Sequence, residues 1–228
     1  MTSASKYLAE LIGTFLFMMI GYVSVAAIGL AEPATANLLI VPFSFGLGLM
    51  AAIAAFGHIS GGHFNPAVTV AMVLDKRTTA VEGVGYIVAQ IVGAIAAAAV
   101  VLITINQDAV AAGITKPGAG ITDVSAVILE AIFTAIFLVV ILTTSKRAGS
   151  LAGVLIPLTL VAIHFAIATV TGSSVNPARS IGSALVGGDL TGLWIYIVGP
   201  IIGGIIGFGV FRLMERTEEP AASGAPAA

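Results

Sequence analysis

Two stretches, "GGHFNPAVTV" (61–70) and "SSVNPARSIG" (173–182), decide how this chain folds. Each holds Asn-Pro-Ala, as Asn65-Pro66-Ala67 and Asn176-Pro177-Ala178. Proline suits the first position of a helix, where its missing N–H is harmless, and asparagine is a favoured cap just before it. Both motifs therefore read as helix starts. The segments that follow, 66–74 and 177–186, are short. About ten residues at ~1.5 Å each cover only about half of a bilayer's hydrocarbon core. Arg179 stands in the second segment, and a guanidinium that cannot be neutralised is costly in lipid.

The surrounding sequence is membranous. Of 228 residues, 58% are hydrophobic and 9% charged, against about 25% charged in soluble domains. The formal net charge of -2 argues against nucleic acid as a partner. With no cysteine there is no disulfide framework, thiolate metal site or cysteine nucleophile. His58, His63 and His164 show no metal-binding helical spacing. Six apolar runs long enough to span lie at 6–29, 36–56, 82–105, 124–145, 151–171 and 192–214. The first is too long for the core of a signal peptide and reads as a retained span. The polar, small-residue end, 215–228, reads as a disordered cytoplasmic tail. With the N-terminus inside, Lys6, Lys76, Arg77, Lys146, Arg147, Arg212 and Arg216 all face the cytoplasm and Lys116 lies outside, as the bias of basic residues requires.

The chain repeats itself. Glu10 in "LAELIGTF" matches Glu130 in "ILEAIFTA", and "AQIVGAIAA" matches "GPIIGGIIG". The repeats, 6–105 and 124–214, have three spans each. An odd number of spans inverts the second repeat in the membrane, as in many transport proteins. The expected architecture is a single all-α membrane domain over 1–228, with six transmembrane helices and two re-entrant half-helices. The half-helices enter from opposite sides and meet near the midplane, their positive dipole ends aimed at one spot. Irregular backbone at that depth is tolerated only where it lines a cavity. The glycines in "GHISGGH" and "TGSS" allow such a course.

The paired "HFNPAVT" and "VNPARS" in an inverted repeat of six spans resemble the aquaporin (major intrinsic protein) family over about residues 6–214. The resemblance implies a passive channel, commonly a homotetramer with one pore per subunit, passing water in single file and excluding protons and ions. Asn65 and Asn176 would donate to water at the centre. A narrower constriction would be formed by Phe45, His164, Ser173 and Arg179. That set resembles the water-selective branch. Members that conduct glycerol usually carry a small residue in place of His164 and aspartate where this chain has Ser180. The alternative is a facilitator for glycerol or another small neutral solute. Of the aromatic pair that water channels often carry in the sixth span, only Tyr196 is present, followed by Ile197. The resemblance also implies pore-lining loop backbone at Gly61, Gly62, His63, Gly172 and Ser174. It requires no cofactor. Water and the bilayer would be the partners, and the short loops suit a prokaryotic inner membrane.

Other readings stand beside these. Intramembrane acids such as Glu10 and Glu130 are default candidates for proton relays. The resemblance implies instead that they accept hydrogen bonds from the loops' backbone N–H groups. His164 alone would read as a packed polar residue. Ser173, Ser174 and His164 make a poor nucleophilic site, because no acid nearby in sequence can orient the histidine. A coupled transporter would need ion-binding carboxylates near the motifs, and none is there. The absence of cysteine leads to a direct expectation. Water flow should be insensitive to a thiol-specific mercurial in a vesicle shrinkage assay, and inhibition at low mercurial concentration would contradict it.

Overall fold

The computed structural model describes residues 2–30 and 37–218. Its helices in chain order are α1 (Ser3–Leu30), α2 (Asn37–Ser60), α3 (Pro66–Leu74), α4 (Ala80–Thr104), α5 (Gln107–Ala112), α6 (Asp123–Arg147), α7 (Ala152–Thr171), α8 (Pro177–Gly187) and α9 (Ile195–Glu218). There is no strand among the described residues. Six of the helices, α1, α2, α4, α6, α7 and α9, are long and apolar enough to cross a membrane. The expected spans are all present. α9 continues to Glu218, past the boundary read at 214, and the rest of the expected tail, 219–228, lies outside the described residues. The short helix α5, capped by the Asn106 side chain, was not anticipated.

Local signals explain the helix ends. Thr79 and Thr122 accept hydrogen bonds from the backbone N–H groups of Glu82 and Ser125, and Thr79-x-x-Glu82 has the form of a capping box. α3 and α8 begin at Pro66 and Pro177 behind Asn65 and Asn176, whose side-chain oxygens accept from Ala67 N and Ala178 N. The first residue of each half-helix is the one the motif specifies.

The two repeats pack alike. α1 lies along α4 and α2, α6 lies along α9 and α7, and α2 against α7 joins the halves. Lipid tails are as apolar as leucine, so close van der Waals approach rather than hydrophobic burial drives helix association. Glycines provide that approach. A Cβ on Gly93 of α4 would stand 2.4 Å from the Leu11 carbonyl oxygen of α1, and one on Gly203 of α9 would stand 2.3 Å from that of Ala131 in α6. Large side chains such as Leu47, Val88, Ile128 and Ile202 face outward, the reverse of a soluble fold. At the end of the bundle that carries most basic residues, Arg77 donates to Ser145 Oγ (2.8 Å) and the Leu142 carbonyl (3.2 Å), clamping the turn after α3 to α6.

Gly203→Ala should lower the thermal unfolding midpoint in detergent, since overpacking a tight contact costs about 1–3 kcal/mol. Gly209→Ala, where a Cβ would meet nothing within 4 Å, should leave the midpoint unchanged or raised. Equal effects of the two substitutions would contradict this packing account.

Candidate functional site

The two half-helices meet in the interior, and the stretch before each follows one backbone course. Gly61, Gly62 and Phe64 have φ of 94°, 66° and 48°, and Gly172, Ser173 and Val175 have 82°, 46° and 43°. A β-branched residue in the left-handed region is an outlier that needs support. That support comes from two carboxylates with no solvent exposure, Glu10 and Glu130. Glu10 Oε1 accepts from Ser60 Oγ (2.6 Å) and His63 N (2.9 Å), and its Oε2 accepts from Phe64 N (2.7 Å) and Gln90 Nε2 (2.7 Å). Glu130 Oε1 accepts from Thr171 Oγ1 (2.7 Å) and Ser174 N (2.9 Å), and its Oε2 accepts from Val175 N (2.7 Å). The same bonds hold both loops, with Gln90 added in the first.

The asparagines close the junction. Asn65 Nδ2 donates to the Val175 carbonyl (2.8 Å) and Asn176 Nδ2 to the Phe64 carbonyl (2.9 Å). Each amide has a second N–H, and both residues line a cavity of about 760 Å3. No protein donor among the described residues reaches the carbonyls of Gly61, Gly62 and His63, or those of Gly172, Ser173 and Ser174. Of these six, Gly61, Gly62, His63 and Ser174 line the cavity and Gly172 and Ser173 do not; free carbonyl oxygens beside a cavity can take hydrogen bonds from a passing molecule.

Phe45, His164 and Arg179 come together at one end of the cavity. The Phe45 and His164 rings stack with centroids 4.9 Å apart, and the Arg179 guanidinium carbon lies 5.1 Å from the Phe45 ring centre. Arg179 Nη1 donates to the Gly113 carbonyl (2.6 Å), and its Nε is buried without a protein partner. His164 Nδ1 lies 3.0 Å from the Leu160 carbonyl. A carbonyl only accepts, so Nδ1 carries the hydrogen and Nε2 is a bare acceptor. Nε2 also lacks a protein partner. A small molecule between these groups meets an acceptor on one side and charged donors on the other. Ser173 is fully buried with its hydroxyl unpartnered, and it is not among the residues that line the cavity. Tyr196 is buried with Ile195 and Ala126, away from the cavity, and Ile197 is also off its wall.

Hydrogen-bond counting also settles His63. Thr69 Oγ1 donates to the Asn65 carbonyl and accepts from Gln90 Nε2. Its one hydrogen is spent, so His63 Nδ1 at 3.1 Å must be the donor. The imidazole thus braces the first loop.

Several participants were missed in the sequence. Ser60 and Thr171 stand at equal distances before Asn65 and Asn176, so comparing the repeats could have found them. Gly113, Thr115 and Gln90 gave no such sign. Thr115 Oγ1 lies 2.8 Å from Ser180 Oγ, which lies 2.7 Å from Ser174 Oγ. This chain of buried hydroxyls ties the loop between α5 and α6, and with it the Gly113 carbonyl, to α8.

Comparison with known proteins agrees with this geometry. The sequence matches the family described as major intrinsic protein over residues 1–211. It is 40% identical over 220 residues to a glycerol uptake facilitator protein-like 6 of Lactiplantibacillus plantarum, covering 92% of this chain and 97% of that protein. It is also 40% identical over 223 residues to an Aquaporin Z of Photorhabdus laumondii, covering 92% and 96%. In structure it is similar to the aquaglyceroporin of Plasmodium falciparum, with a TM-score of 0.84 at 22% identity, covering 92% and 96%.

Replacing Glu130 with alanine strands three donors, each costing about 1–3 kcal/mol when buried and unpaired. The variant should show a lower unfolding midpoint in detergent together with lost permeation in vesicles. Full permeation by Glu130→Ala would remove the carboxylate from the account of the second loop.

Proposed function

The chain belongs to the major intrinsic protein family of membrane channels, and we propose that within it this protein conducts water in single file while rejecting glycerol, protons and ions. The family's members are channels rather than enzymes, and this one is an integral, multi-pass membrane protein. The names of its relatives divide between water and glycerol, so the choice rests on residues. The observation that carries it is the group of Phe45, His164 and Arg179. The imidazole stacked on Phe45 fills space beside the guanidinium, and its Nε2 has no protein partner. Water can satisfy that acceptor and the Arg179 donors at once. Glycerol would have to bring its carbon chain through the same narrow polar gap.

Charge explains the rejection of cations. The N-termini of α3 and α8 place two positive dipole ends at the centre, and the Arg179 charge stands at the mouth. Asn65 and Asn176 would each offer their second N–H to a water oxygen, so a central molecule becomes a double acceptor. The carbonyls of Gly61, Gly62, His63, Gly172 and Ser174 would guide water on either side, and Ser173 would act through its backbone. Glu10 and Glu130 would hold the loops rather than carry protons, since each is committed to backbone and side-chain donors. The distribution of basic residues places both termini in the cytoplasm, and the short loops fit a prokaryotic inner membrane. By resemblance the channel works as a homotetramer with one pore per subunit.

His164→Gly should raise glycerol permeability in proteoliposomes at least about tenfold over wild type, a barrier change of about 1.4 kcal/mol, with water flow retained. Glycerol entry unchanged by the substitution would refute the assignment of the constriction.

A further inference from the structure

Two methionines stand on the wall of the cavity, Met50 on α2 and Met72 on α3. Met50 lies about 7.5 Å along α2 from Phe45, at ~1.5 Å per residue. Met72 lies toward the end of the half-helix α3 that is away from Pro66. The remaining methionines with described side chains are elsewhere. Met18 is fully buried in the core, Met19 packs against that core, and Met214 is exposed near the end of α9. The chain has no cysteine, so thioethers are its most readily oxidised sulfur groups.

We propose that Met50 and Met72 are oxidation sites on the water path, modified by a small neutral peroxide that enters along it, and that their oxidation slows water flow. The inference rests on the water-channel reading above. A peroxide such as hydrogen peroxide is uncharged and carries hydrogen-bond donors and acceptors at both ends, so a filter that admits water poses it no charge barrier. The reaction balances within the pair. The sulfur lone pair attacks one peroxide oxygen and the O–O bond breaks. With hydrogen peroxide, that oxygen stays on sulfur as the sulfoxide, its proton passes to the departing hydroxide, and the other oxygen leaves as water. The thioether is oxidised and the peroxide reduced.

The surroundings explain why flow should respond. The carbonyls of Gly61, Gly62 and His63, free of protein donors, offer acceptors along one side of the path. The wall that includes Leu49, Ile53 and Val68 is apolar and has no side-chain atom that can hydrogen-bond to water. A sulfoxide at Met50 or Met72 adds a polar oxygen to that wall. Water is then held from two sides, and the bore loses the room the oxygen takes.

The test uses the whole chain in proteoliposomes, beside the double variant Met50→Leu, Met72→Leu, which keeps volume and apolarity. Both are exposed to hydrogen peroxide and quenched with catalase, then assayed for osmotic shrinkage and for oxygen added at each methionine by peptide mass spectrometry. The expected result is one oxygen on Met50 and Met72 and a severalfold fall in wild-type water flow. The double variant should keep its untreated flow, although its Met214 also oxidises. An equal fall in the double variant would overturn the proposal. So would sulfoxides at Met50 and Met72 without loss of flow, or oxidation confined to Met214. Absence of flow above empty vesicles before any peroxide is added would instead refute the water-channel reading, and the proposal with it.

Discussion

Backbone N–H groups placed deep in a bilayer must find partners inside the protein, and two buried carboxylates supply them. Glu10 and Glu130 take the amides of His63, Phe64, Ser174 and Val175. Those bonds hold Phe64 and Val175 at positive φ, a conformation that costs roughly 1–3 kcal/mol for each such residue and persists only when its surroundings fix it. Held this way, each loop brings its asparagine to the start of a half-helix and points its own carbonyls elsewhere. Without the carboxylates those four amides lose their partners, and the cross-junction bonds of Asn65 and Asn176 are left to hold the half-helices together alone.

From that constraint the pathway follows in order. The pinned loops place α3 and α8 end to end, and Asn65 and Asn176 lock the joint by donating across it. The lock consumes one N–H of each amide and leaves the other. The loop carbonyls stay free because the loops' amides already have partners. Arg179, one turn into α8, then comes to face Phe45 and His164. A charge that would be prohibitive against lipid is held instead by the Gly113 carbonyl and the cavity. The hydroxyls of Thr115, Ser180 and Ser174 fasten the loop between α5 and α6 that carries this carbonyl.

Much of this was legible in the sequence, for identifiable reasons. Asn-Pro fixes a helix start through proline's φ and asparagine's capping oxygen, so both half-helices began at the residues read. The repeat was legible because Glu10 and Glu130 are conspicuous in apolar runs, and counting spans gave the inversion. Phe45 and His164 were found by their register in the resemblance; no local signal marks them. What stayed hidden depends on partners distant in sequence. Gln90 reaches Glu10 across the bundle, Gly113 acts through a carbonyl that any residue carries, and α5 is too short to show a periodicity. The bare Nε2 of His164 became visible only once its hydrogen had been assigned to Nδ1.

The central claim is that the gap between Phe45, His164 and Arg179 admits water and turns glycerol away. Stopped-flow light scattering on proteoliposomes of the unmodified protein tests it most directly, with an impermeant osmolyte and then with glycerol. The account predicts rapid shrinkage in the first and glycerol entry no faster than into empty vesicles in the second. Rapid reswelling in glycerol would contradict it.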